Sequence, residues 1–120
     1  MAEANFFPDS VSAKFTLNAQ NVRLDSEEGL PPFIGRVVET FSGLDILPLE
    51  IPGTVKYDKK SPPAGSAIAR FSIQESDKRL LIIFLPKGAD IPNALFLSEQ
   101  EHGPMPPIKL AEGEWTFDFN

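Results

Sequence analysis

Val11-Ser12-Ala13-Lys14-Phe15-Thr16-Leu17 alternates apolar and polar residues with a strict period of two. Successive side chains of a strand point to opposite faces, so this stretch reads as a half-buried β-strand. Val22 and Leu24 resume the pattern beyond residues 18–21, which predicts a hairpin. The same alternation returns in residues 54–58, in residues 67–74, and in Trp115, Phe117 and Phe119. Residues 33–41 are a further strand candidate. Ideal alternation there would set Glu39 on the face of Phe33, Val37 and Phe41, so a bulge near Val37-Val38 is expected.

Twelve prolines are spread along the chain and leave little room for a long helix. Turn chemistry punctuates the strands at Glu28-Gly29, Ser42-Gly43, Pro52-Gly53, Lys87-Gly88 and Glu112-Gly113. Short strands broken at such spacing predict an all-β fold, an antiparallel β-sandwich or a jelly-roll-like barrel. At most one or two short helical turns are expected, at residues 25–29 and 98–102. Residues 1–10 read as an N-terminal arm and residues 11–120 as one β domain, with no internal repeat.

Gly53-Thr54-Val55-Lys56-Tyr57-Asp58 followed by residues 62–71, Pro-Pro-Ala-Gly-Ser-Ala-Ile-Ala-Arg-Phe, resembles a hairpin of the transthyretin-like and carboxypeptidase-regulatory β-sandwiches. The resemblance covers about 20 residues and implies a sandwich, with residues 54–58 and 67–71 as paired neighbours. It implies no activity.

Composition narrows the function classes. Eleven basic against seventeen acidic residues give a net charge of −6. Nucleic-acid binding rests on neutralising phosphates with Lys and Arg, and anionic membranes attract the same residues. Neither partner is expected. The chain has no Cys, which removes thiolate catalysis and thiolate metal sites. No signal peptide or membrane-spanning run is legible, so a cytoplasmic or particle-associated protein is expected.

Catalytic motifs are also missing. His102 is the only histidine and lies in a polar loop with no Gly-X-Ser-X-Gly elbow in the chain. It reads as an exposed loop residue. Asp25, Glu27 and Glu28 offer carboxylate oxygens suited to calcium, but their spacing matches no EF-hand loop, and a solvated acidic turn is the simpler reading. Lys56, Lys59 and Lys60 read as a solubilising cluster near a loop. Pro104-Met105-Pro106-Pro107-Ile108-Lys109 fits the Pro-X-X-Pro-X-basic form of an SH3 ligand and equally a stiff loop. No enzyme, cofactor or metal is expected.

The informative anomaly is apolar surplus. Leu80-Leu81-Ile82-Ile83-Phe84-Leu85 and Ala94-Leu95-Phe96-Leu97 are apolar on both faces, where a strand facing water on one side should alternate. One face of each needs a cover, supplied by the chain itself or by another chain. The expected function is a non-enzymatic interaction or assembly domain, for example a structural subunit of a phage, viral or other multiprotein complex. Its partner is a protein, possibly a second copy. Phe6, Phe7, Leu80, Ile82, Phe84, Leu95 and Leu97 are the candidate interface. The alternatives are a small-ligand or carbohydrate-binding module, with Trp115 and Tyr57 as the natural sugar platforms although both look core-facing, and a small acidic inhibitor.

Overall fold

The computed structural model describes residues 7–27, 30–40, 48–74, 76–101 and 108–116. They form eight strands: β1 (Asp9–Asn18), β2 (Asn21–Ser26), β3 (Phe33–Thr40), β4 (Leu49–Tyr57), β5 (Gly65–Gln74), β6 (Arg79–Pro86), β7 (Ala94–Glu101) and β8 (Ile108–Trp115). All pairings are antiparallel, and the sheet closes on itself in the order β1-β2-β3-β8-β5-β6-β7-β4. The fold is therefore all-β, and it is a closed barrel, not a sandwich. Eight strands enclose a space that side chains just fill. Phe15, Phe33, Phe84, Phe96, Leu17, Leu24, Leu80 and Ile82 all point inward and are buried.

Two aromatic groups knit this interior. Phe15 packs on Phe71 and Phe96, with ring centroids 5.6 and 6.2 Å apart. Phe33, Phe84 and Trp115 form a mutual triplet at 4.9–5.4 Å. Tilted and edge-on contacts of this kind suit the ring quadrupoles. Pro63 and Leu30, from the loops at one barrel end, are buried with them.

The strand order contains two Greek keys in succession. β4-β1-β2-β3 is one and β8-β5-β6-β7 is the other. Their registers correspond. Ala13 lies opposite Gly53, which lies opposite Ser98; Ala67 lies opposite Gly113, which lies opposite Gly35. Phe15 pairs with Leu24 and Ile51, while Ala69 pairs with Phe84 and Ala111. The correspondence slips by two residues between β2–β3 (Leu24 opposite Phe33) and β6–β7 (Phe84 opposite Ala94). No repeat was legible in the sequence because the two halves share burial pattern and register, not residues.

Gly53 and Gly113 occupy equivalent places, and both were read as turn glycines. Each lies inside a strand instead. A Cβ on Gly53 would strike the Leu97 carbonyl oxygen and the Phe96 ring, whose Cζ would be 2.6 Å away. A Cβ on Gly113 would strike the Ile34 carbonyl oxygen and the Gly35 Cα, 2.6 Å away. These inward positions let neighbouring backbones approach where the sheet curls tightly. The glycines serve closure, not reversal.

Other expectations are corrected in the same way. The first strand starts at Asp9, inside the expected arm, because Asp9 pairs with Tyr57 and its Oδ2 accepts the Lys59 N–H at 2.8 Å. Asp25 and Ser26 belong to β2, and residues 98–101 belong to β7; neither helical turn forms in the described part of these segments. Residues 54–58 and 67–71 are not hairpin partners, since β4 pairs with β1 and β7, and β5 with β6 and β8. Proline-rich residues 58–64 instead cross the barrel end, where Pro63 is buried. The hairpin of β1 and β2 forms as expected, through Ala19-Gln20 with Ala19 at φ 57°. The β3 irregularity also falls where expected: the register against β8 shifts between Val37 and Glu39 and again before Thr40, leaving Val38 exposed.

Candidate functional site

The two-sided strands resolve into an inner and an outer row. Leu80, Ile82 and Phe84 of β6 are buried in the barrel, so they are corrected from candidate interface to core. Leu81, Ile83 and Leu85 alternate with them and form the outer row, partly exposed. On β7, Ala94, Phe96 and Ser98 point inward, and Leu95 and Leu97 point outward as the interface expectation requires. Phe7 is partly exposed before β1, and Phe6 lies outside the described residues.

Register brings the outer rows together. Leu81 lies opposite Leu97 and Ile83 opposite Leu95, while Leu85 lies opposite Ile68 of β5. Cross-strand neighbours on one face sit about 4.5–5.5 Å apart at Cβ, so these side chains make one continuous apolar patch. The sequence showed that an unpaired apolar face existed. It did not show which alternate residues faced out, because a run of six apolar residues carries no period.

The patch has charged flanks. One transverse row reads Lys56 (β4), Leu95 (β7), Ile83 (β6), Arg70 (β5), Leu110 (β8) and Glu39 (β3), each opposite the next. Lys56 and Arg70 are exposed, and among the described residues neither has an ion-pair partner. Lys109 Nζ does, at 3.9 Å from Glu39 Oε2. Beside the bulge of β3 a shallow groove of about 420 Å³ is lined by Arg70, Ser72, Ile83, Lys109, Leu110 and Glu39. The polar breaks are thus confined to the margins.

β7 is held in place by a buried polar contact. The register of β6 against β7 shifts between Arg79 and Leu81. Ser98, which is 1% exposed, fills the break: its Oγ accepts the Leu80 N–H at 2.9 Å. An unpaired buried N–H costs more than an ordinary bond gains, so this hydroxyl fixes the pairing beneath the patch.

The other sequence candidates do not converge. Asp25 is bound by the Arg23 guanidinium, with Nε at 2.9 and 3.0 Å from its two oxygens; Glu28 lies outside the described residues. No group of three or more metal-ligating side chains occurs among the described residues. Tyr57 and Trp115 are buried in the barrel and present no sugar platform. Lys59 and Lys60 sit in the turn after β4, held by Asp9 and Asp58. His102 and residues 104–107 of the proline-rich motif lie outside the described residues, while Ile108 is core. No helix among the described residues is long and apolar enough to cross a membrane. Comparison with protein-family models, with curated proteins and with solved structures returns no match for this chain.

Proposed function

We propose that this barrel is a non-enzymatic protein-interaction domain whose docking surface is the outer face of β6 and β7. One observation carries the reading. The first Greek key places Asn21, Arg23 and Asp25 on the outer face of β2, at the positions equivalent to Leu81, Ile83 and Leu85 of β6. The equivalent positions of the other half are thus polar, which supports reading Leu81, Ile83 and Leu85 as a surface for a partner and not as a requirement of the barrel. Contiguous apolar surface on a soluble domain marks interaction sites.

The test copies one half onto the other. The triple variant Leu81→Asn, Ile83→Arg, Leu85→Asp is expected to keep its β circular dichroism and lie within about 1 kcal/mol of the parent in urea unfolding, as surface changes do. Its retention on a hydrophobic-interaction column is expected to fall sharply. Loss of several kcal/mol, on the scale of core truncation, would show that the face is part of the barrel's own packing and would remove the reading. Light scattering on the parent, run over a wide concentration range, separates a second copy from a different partner by whether the mass is a multiple of 13.2 kDa.

A further inference from the structure

We infer that the occupant of the β6–β7 face is an acidic amphipathic helix of another protein. The inference rests on the docking surface proposed above and adds its chemistry. Closure of the barrel leaves only short unpaired ladder edges, such as residues 71–74 of β5 on its β8 side and 49–52 of β4 on its β7 side. These offer a partner strand about four residues at most. The larger continuous surface is the side-chain wall of β6 and β7.

The dimensions suit a helix. Lys56 and Arg70 flank the Leu95–Ile83 pair, three strand steps apart. At about 4.8 Å per step that is roughly 14 Å, and a helix with its side chains is about 10–12 Å across. A helix laid along the strands between the two cations therefore seats its apolar stripe on Leu81, Ile83, Leu95 and Leu97. From Leu81 to Leu85 the outer row runs about 13 Å, which about nine helical residues match. Anchors spaced i, i+3 or i+4, and i+7 would cover it.

Charge gives the sign. Lys56 and Arg70 lack ion-pair partners among the described residues, in a chain that is net acidic. Arg70 also borders the groove lined by Lys109 and Glu39, which pair with each other and leave Arg70 as the uncompensated cation there among the described residues. The nearby carboxylates are Glu39, already beside Lys109, Glu112, opposite Ile68 one row away, and Glu99, exposed at the end of the patch two residues beyond Leu97. Of these only Glu39 lies in the row that holds Lys56 and Arg70 beside Leu95 and Ile83, at its far end. A helix carrying Glu or Asp on both shoulders of its stripe meets a cation on either side. A second copy does not. If two such faces pack with a two-fold axis along or across the strands, each cation meets a cation. Like charges so placed oppose association.

The experiment uses fluorescence anisotropy with three labelled helical peptides of about fourteen residues, long enough to span the row. All share one Leu stripe; their shoulders are Glu, Lys or Gln. The Glu peptide is expected to bind the intact chain saturably and to weaken with added NaCl. Lys56→Glu with Arg70→Glu should weaken it at least about tenfold and strengthen the Lys peptide, since both flanking charges reverse. Ile83→Asn with Leu95→Gln should abolish binding of the Glu peptide while the urea midpoint holds. Equal binding of all three peptides, or a Glu peptide indifferent to the charge reversal, would overturn the acidic partner while leaving the docking face standing. So would stronger retention by phosphatidylserine-containing vesicles, or a stable dimer that Ile83→Asn dissociates. Binding of none of the three would overturn it as well. If Ile83→Asn with Leu95→Gln also unfolds the barrel, the docking face itself falls.

Discussion

The two Greek keys share a topology and differ in what they show to solvent. In the first, the outer wall of β2 and β3, the equivalents of β6 and β7, carries Asn21, Arg23, Asp25, Ile34 and Arg36. In the second, the outer wall of β6 and β7 carries Leu81, Ile83, Leu85, Leu95 and Leu97. Inward, both halves are apolar. The inner pattern is what barrel closure demands. The outer pattern differs between the halves on β2 and β6, and the proposed docking face rests on that difference. A single half would not have allowed that comparison, because an apolar strand can always be excused by an unseen cover.

The largest expected effect tests whether the halves are mechanically equivalent. Gly53→Ala and Gly113→Ala each place a Cβ against the carbonyl oxygen of the neighbouring strand, Leu97 in one case and Ile34 in the other. Backbone cannot rotate away as a side-chain tip can. Each substitution is expected to cost about 3 kcal/mol or more, at the upper end of overpacking effects. Gly65→Ala provides the contrast: Gly65 has φ +76° and open space around it, so only the left-handed backbone is disfavoured, at about 1 kcal/mol. Urea unfolding of the three variants checks the order. A mild Gly53→Ala beside a severe Gly113→Ala would break the equivalence of the halves.

These glycines also show how far the sequence could be read. Alternation in residues 11–17 and 67–73 identified β1 and β5 with the correct inward faces, because Ala13, Phe15 and Leu17 are buried beside polar neighbours. The Val37-Val38 bulge was legible for the same reason: a misplaced Glu39 breaks the period. Glycine after proline or glutamate is ambiguous, since a reversal and a close strand approach both need a missing Cβ. Sandwich and barrel were inseparable because alternation does not encode which strands close the ladder. For the candidate site, the apolar surplus was visible. Its orientation was not, and Lys56 and Arg70 join Ile83 and Leu95 only through pairings between strands distant in sequence.

A smaller effect probes where the halves differ internally. Ser98 and Gly35 are equivalent, yet only Ser98 has a side chain, and its hydroxyl accepts the Leu80 N–H. Ser98→Ala keeps the volume nearly unchanged and strands that N–H in the core. The expected loss is about 1–3 kcal/mol, the desolvation cost of an unsatisfied buried donor. Amide hydrogen exchange should localise the change, with Leu80 losing protection before the β1–β2 hairpin. Uniform loss across the barrel would mean that Ser98 acts through general packing and not through the β6–β7 register.

The smallest effect concerns the polar wall of the first half. Lys14 Nζ stands 3.8 Å from Glu50 Oε1 across β1 and β4, and both side chains are more than half exposed. Water and salt screen such a pair, and ordering two long side chains offsets much of the attraction. Lys14→Ala is therefore expected to change stability by less than about 0.5 kcal/mol, and the difference should vanish in high salt. The near-null result carries weight for the contrast between the halves. If the polar wall contributed strongly to stability, the apolar wall opposite could be read as a substitute way of stabilising the same barrel. If it contributes almost nothing, Ile68 and Leu110, the residues equivalent to Lys14 and Glu50, are not replacing a stabilising pair. That outcome would support the proposed reading of the apolar wall as a docking face.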